Sequence, residues 1–433
     1  MLASIAAAAS AAASARERVD VRRCTDLAAA MIQCDTRNPP GDESAIVPLL
    51  ADVLRGLGGR VEVVEPKPGR MSLLAEIGSG GRPEVGSGGR PEIGSGAGRP
   101  ERPPTLLVNG HIDVVPVVEA DWSVPAFGGL VRDGRLWGRG ACDMKGGIAA
   151  AIEGLRACLD AGVRPACDVT FHLVADEETG GRWGTAALLE SGRIHADAAV
   201  VPEPSELGVC VAERGALLAE ITVTGRAAHG SDPGRGRSAV ADAARLVTAL
   251  HDADFGGPSH PLLGRPTCNV GTIHGGTATN VVASSCVMRL DRRLLPGVTR
   301  DVALDELRAV LDRAASGPGG RIDYRIDVMT FVEGSELPPG HPFAGFVRAA
   351  CQDSGHPGAT RGLYLGTDAR FLRNQLGIPA VVYGPGSMTV AHTADEYVAL
   401  SELESAARTF ATLFATFEGV RPAVGSRSGS GSG

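Results

Sequence analysis

The sequence predicts an α/β fold with a smaller α+β domain inserted into it. Short apolar runs alternate with helical stretches up to about residue 213 and again from about residue 333, as expected for helices layered on a sheet. Between those stretches the order becomes strand, helix, strand, strand, helix, strand, the pattern of a small self-contained unit. The chain has 433 residues, 43% of them hydrophobic, enough for two domains with real cores.

Taken in order, the Ala-rich start reads as a helix leading into a first core helix over about 16–34. Strands are expected at Arg60–Val64, Ser72–Ile77, Thr105–Val108, Asp168–Val174 and Ala198–Val201, with a helix at Gly146–Ala161. The inserted domain spans 214–332. It contains a strand at Leu217–Val223, a helix at Ser238–His251, strands at Thr267–Ile273 and Ala283–Leu290, a helix at Val302–Ala315 and a strand at Ile322–Val328. The α/β texture resumes with a strand at Ala380–Tyr383 and a helix at Leu400–Phe417, so the larger domain is 16–213 plus 333–420. Residues 78–103 carry an imperfect threefold repeat of GSGGRPE. So short a unit, rich in Gly and Pro, cannot bury a face and reads as a flexible insertion between two strands; the tail 421–433 reads the same way.

Composition removes several classes of function. Lys and Arg total 42 against 50 Asp and Glu, a net charge of −8, which argues against a nucleic-acid partner. No window approaches the ~18 apolar residues of a membrane span. Nine cysteines, odd in number, widely spaced and without a CxxC pair, read as reduced thiols of a cytoplasmic protein. Ala13-Ser14-Ala15 mimics a cleavage site, but the first charge, Arg16, follows the apolar stretch instead of preceding it, unlike a signal peptide. A dinucleotide site is not expected, since no GxGxxG follows a first strand.

The chemistry gathers at strand ends. Thr105–Val108 runs into His111 and Asp113, which are two apart and face the same way. Such a pair is either structural or a metal-binding His whose second ring nitrogen is held by the Asp. Asp143, in WGRGACDMKGG, stands before the apolar helix, as an N-cap or as a carboxylate bridging two cations. The strand ending at Val174 meets Asp176, Glu177 and Glu178, three adjacent like charges that need cations or solvent to balance them. Glu203 sits between prolines after Val201, and His392 follows the Tyr383-Gly-Pro-Gly turn. Ligands of open α/β sheets lie off the carboxyl ends of strands. His and carboxylate donors suit zinc, and two His with three carboxylates, one shared, make a two-metal site.

Together GHID, WGRGACDMKGG, ADEETGG, PEP, AAHGS and AHTADE, in this order over about residues 20–420, resemble the M20 family of metallopeptidases and deacylases. The branch they resemble includes acetylornithine deacetylase, succinyl-diaminopimelate desuccinylase and carboxypeptidase G2-like enzymes. The resemblance implies two Zn2+ per chain, with Co2+ or Mn2+ as alternatives. His111, Asp143 and Glu203 would hold one ion, and Asp143, Glu178 and His392 the other. It makes Glu177 the general base and Asp113 the partner of His111. In the inserted domain it makes His229 the residue that, in dimeric relatives, reaches a neighbouring subunit's site to steady the oxyanion. Asn280 and Arg293 would hold the substrate carboxylate, with Arg292 adjacent, and Gly366 belongs to a loop supporting the same end. The implied activity is hydrolysis of an N-acyl amino acid, with a dipeptidase or carboxypeptidase as the alternative and a non-catalytic binding protein as the remote one. The implied assembly is a homodimer through a lid domain.

Overall fold

A computed structural model describes residues 2–78, 102–251, 253–317, 320–338 and 340–420. Most of the GSGGRPE repeat and the Gly/Ser tail lie outside the described residues. The chain divides into two compact units, one comprising residues 1–211, 337–361 and 367–433, the other residues 212–336 and 362–366.

The first unit is built on a mixed sheet. Its strands run in the order Arg60–Lys67, Arg70–Ile77, Asp168–Val174, Thr105–His111, Ala198–Val201, Ala380–Val382 and Val209–Glu213. The middle four, from Asp168–Val174 to Ala380–Val382, are mutually parallel. Their residues are mostly apolar and almost wholly buried, as a sheet covered on both faces requires. All four therefore end on the same edge, and their registers align those ends: His111 lies opposite Val174, and Val108 opposite Val200.

Helices Lys145–Asp160 and Leu400–Thr416 pack against each other, with Ile148, Leu155, Phe410 and Phe414 fully buried. The amino-terminal stretch keeps the expected order, an Ala-rich helix leading into a core helix, but the core helix begins at Val21 and not near residue 16. The two helices, Leu2–Glu17 and Val21–Gln33, are broken where the Asp20 side chain accepts hydrogen bonds from the Arg22 and Arg23 N–H groups. That cap starts a new helix and lets the Ala-rich one pack on the two central helices, burying Ala12 and Ala15. A ribbon of Leu130–Arg132, Arg135–Trp137 and Tyr397–Ala399 was not foreseen, because three-residue strands carry no usable period.

The second unit has a four-stranded antiparallel sheet in the order Thr267–Gly275, Ser285–Leu294, Gly215–Thr224, Asp323–Val332. Helices Ala239–His251 and Arg300–Ala315 cover one face. Alternate residues Leu217, Ala219, Ile221 and Val223 meet Leu246, Leu250, Leu307 and Leu311 in its core. The chain order is the expected βαββαβ. No helix among the described residues is long and apolar enough to cross a membrane.

Candidate metal centre

The edge where the four parallel strands end gathers a cluster of acids and imidazoles. His111 is the last residue of its strand, Asp176, Glu177 and Glu178 follow Val174, Glu203 follows Val201, and His392 lies in the loop after Val382. Asp143 reaches the cluster from the segment before the Lys145 helix. It does not cap that helix, whose N-cap position is Met144. The Glu203 loop approaches closely because residue 147 is glycine: a Cβ there would stand 1.9 Å from the Pro202 carbonyl oxygen.

The distances tie the cluster into one chain of contacts. His111 Nε2 is 3.0 Å from Asp143 Oδ1 and 3.4 Å from Glu203 Oε1. His392 Nε2 is 3.2 Å from Asp143 Oδ2 and 3.2 Å from Glu178 Oε2. Asp143 thus offers one oxygen to each imidazole. Ligand atoms of His111, Asp143 and Glu178 lie within 4.8 Å of one another, as do those of His111, Glu177 and Glu203. His111, Asp113, Asp143, Glu177, Glu178, Glu203 and His392 are all brought together within the first unit.

One expectation is corrected here. The group nearest His111 Nδ1 is not the Asp113 carboxylate, 3.7 Å away, but the Asp113 backbone carbonyl at 2.9 Å. A carbonyl only accepts, so Nδ1 carries the proton and Nε2 is turned to the carboxylates. The Asp113 carboxylate works elsewhere: it accepts the backbone N–H groups of Glu177 (3.2 Å) and Glu178 (3.3 Å) and an Asn38 side-chain N–H (2.9 Å).

Four carboxylates crowd two imidazoles. Burial pushes Glu203 up to about 8, with the charge of Asp143 adding to it. Glu178 is raised by burial and by Asp143. Glu177 is raised well above the usual range by burial against the pull of His111, with Asp368, Glu203 and Glu178 adding. Hydrogen bonds donated to Asp143 and Glu178 raise His392 to about 10. At His111, burial favours the neutral ring, but Glu203 and Asp143 outweigh it and hold the pKa well above normal. Burial also resists ionisation of Asp143, yet its bonds to both imidazoles hold its carboxyl far below the ordinary range. If ionised, the four carboxylates would outnumber the charges two imidazoles can carry, so without cations the cluster has to take up protons, and Glu178 Oε1 is buried without a hydrogen-bond partner. Hard oxygen and imidazole donors, converging and under-neutralised, fit divalent cations.

Several buried groups around the cluster escaped the sequence reading. Glu396 accepts from the N–H groups of Gly140, Cys142 and Asp143 at 2.8–3.1 Å and from Arg139 at 2.5 Å. Its carboxylate thereby ties the Asp143 segment to the His392 loop. Arg370 Nη1 stands 3.9 Å from both Glu177 Oε1 and Asp368 Oδ1. Glu396 lies inside the AHTADE motif and Asp368 two residues after Gly366, but only the fold shows what they touch.

The remaining site candidates belong to the second unit. His229 is exposed, and its Nδ1 accepts the Ser231 N–H at 3.2 Å and lies 2.7 Å from Ser231 Oγ, which leaves the ring proton on Nε2. Asn280 is its neighbour: the Gly230 N–H donates to the Asn280 carbonyl at 2.7 Å. Arg293 is half-buried on the sheet face away from the helices and pairs with Asp291 at 2.9 Å. Arg292 points the opposite way, buried over the Phe255 ring and paired with Glu306 and the Ala303 carbonyl. At Gly366 a Cβ would lie 3.0 Å from Val332 and 3.3 Å from the Arg214 carbonyl oxygen.

The family model of peptidase family M20/M25/M40 matches residues 107–416, and the chain belongs to that family. It is a metal-dependent hydrolase of peptide or amide bonds. A tripeptidase from Staphylococcus aureus superposes with a TM-score of 0.73 at 23% identity, covering 92% of this chain and 98% of its own. The dipeptidase Dug1p from Saccharomyces cerevisiae gives 0.71 at 14% identity, covering 93% and 98%. A dinuclear metal-binding M20 peptidase from Bacillus subtilis gives 0.64 at 17% identity, covering 91% and 97%. At these identities the likeness is one of fold.

Proposed function

We propose that the chain hydrolyses the amide bond of a small N-acyl amino acid at a dinuclear centre. The observation that carries this reading is Asp143, whose two oxygens face His111 and His392 separately. His111, Asp143 and Glu203 would hold one ion, and Asp143, Glu178 and His392 the other, with Zn2+ the first choice and Co2+ or Mn2+ as alternatives. When bound, two such cations supply Lewis acidity and lower the pKa of a water placed between them.

The chain's own groups do the rest. Glu177 takes a proton from the attacking water and delivers it to the leaving amine nitrogen. Arg370 Nη1 stands 3.9 Å from Glu177 Oε1, a positive charge beside the base. His229, with its proton on Nε2, is the donor to the oxyanion, supplied by a second copy of the chain in a homodimer. Asn280 and Arg293 hold the substrate carboxylate, Arg through a planar fork that meets two oxygens, and the Gly366 loop supports the same end. Nine cysteines, none joined in a disulfide and most of them buried, support a cytoplasmic setting.

A second reading is favoured by the tripeptidase and dipeptidase among the structural relatives: the same centre cutting a short peptide. A panel of N-acetyl and N-succinyl amino acids against di- and tripeptides, run on zinc-reconstituted protein, separates the two. Higher kcat/KM on the acyl amino acids is expected. Faster peptide cleavage supports the second reading, and no turnover of any panel member overturns both.

A further inference from the structure

Arg70 lies in a strand that contributes no group to the metal cluster and falls outside the residues matched by the family model. It is nevertheless 3% exposed. Burying a guanidinium this deeply is costly unless acceptors or counter-charges meet it. Its Nη1 is 3.1 Å from Glu43 Oε1, its Nη2 donates to Asp176 Oδ1 at 3.1 Å, and the same nitrogen is 3.9 Å from Asp113 Oδ2.

Those last two acids control the turn that carries Glu177 and Glu178. Asp176 has a left-handed backbone, φ 71°, which is unfavourable for a residue with a side chain and needs support from its surroundings. The support is its carboxylate. Oδ1 accepts from Arg70, Asn38 and the Thr179 hydroxyl, and Oδ2 accepts the Trp183 N–H. Asp113 fixes the next two residues by accepting both of their backbone N–H groups. Asn38 bridges the pair, donating to Asp113 and Asp176.

The amino-terminal segment is shaped to hold Arg70 in place. The Asn38 N–H donates to the Val114 carbonyl, the Glu43 N–H to the Gly69 carbonyl, and the Met71 N–H to the Glu43 carboxylate. Gly41, at φ 80°, closes over the guanidinium so tightly that a Cβ there would stand 1.1 Å from Arg70 Nη1. Glycine is the residue that permits both that dihedral and that approach.

We infer that Arg70, clamped between Glu43 and Gly41, is a positioning residue that holds the Asp176–Glu178 turn through Asp176 and Asp113. The inference rests on the reading of Glu177 as the base, but its first readout does not depend on it. Amide hydrogen exchange of the 175–181 segment is measured by mass spectrometry on the full-length, metal-free chain. Arg70→Met and Gly41→Ala should each speed exchange there by about 10-fold or more, and Arg70→Lys should fall between them and wild type. Gly41→Ala keeps the guanidinium but displaces it, so it decides the matter if Arg70→Met does not fold. Under saturating zinc, both variants should lose about 10–100-fold in kcat on the best panel substrate with KM nearly unchanged. Wild-type exchange at 175–181 in folded Gly41→Ala or Arg70→Met overturns the inference. Normal turnover by Glu177→Gln would instead overturn the assignment of the base and leave the exchange result standing.

Discussion

The two units hold their functional candidates in opposite ways. In the first, the acids and imidazoles are mostly buried and already touch: Asp143 and Glu203 are each 5% exposed and His111 1%. In the second, His229 and Asn280 are exposed and Arg293 is half-buried, paired with the Asp291 carboxylate. Burying an unbalanced carboxylate is costly, so the first arrangement requires a counter-charge of fixed position. The second requires nothing until something arrives. One region is a preformed cage that fits cations, and the other, on the proposed reading, is a set of donors for a substrate or a second copy of the chain.

That contrast orders the consequences of damage. Chelation, or Asp143→Ala, removes what both halves of the cage share and should abolish turnover. Added zinc should restore the chelated wild type but not the variant. Next comes Glu177→Gln, expected to lower kcat by about 10²–10⁴-fold while zinc content measured by elemental analysis stays at the wild-type value. A loss of zinc there would make Glu177 a ligand.

His229→Ala should cost about 10²–10³-fold in kcat without touching the metal. Mixed with Glu177→Gln, it should regain activity through hybrid dimers, and failure to regain any would remove the shared-site arrangement. Smallest is the contrast of two adjacent arginines. Arg293→Ala should raise KM by roughly 10–100-fold, the loss of one charge-assisted pair. Arg292→Met should leave KM alone and lower stability by about 2 kcal/mol, since its guanidinium is bonded inside the core. The reverse result would exchange their roles.

The same contrast explains what could be seen in the sequence. Strand ends that run into acids are a local signal, so the Asp168–Val174 strand and Glu177 and Glu178 after it were visible in one short window. The alternation along Ser285–Leu294 separates Arg292 from Arg293, but only a known core face says which is inside. Arg70 and Asp176 are 106 residues apart, and Arg139 and Glu396 are 257 apart. No spacing rule connects them, because folding alone makes them neighbours. For Asp113 the sequence indicated the right residue, but its carboxylate holds the Glu177 turn while its carbonyl holds His111.

The most direct measurement is the number of divalent ions bound per chain, titrated calorimetrically into metal-free protein and into its His392→Ala and Asp143→Ala variants. The account predicts two ions for the wild type, one for His392→Ala and a collapse of both sites for Asp143→Ala. A single ion in the wild type, or two ions that persist without Asp143, would contradict it.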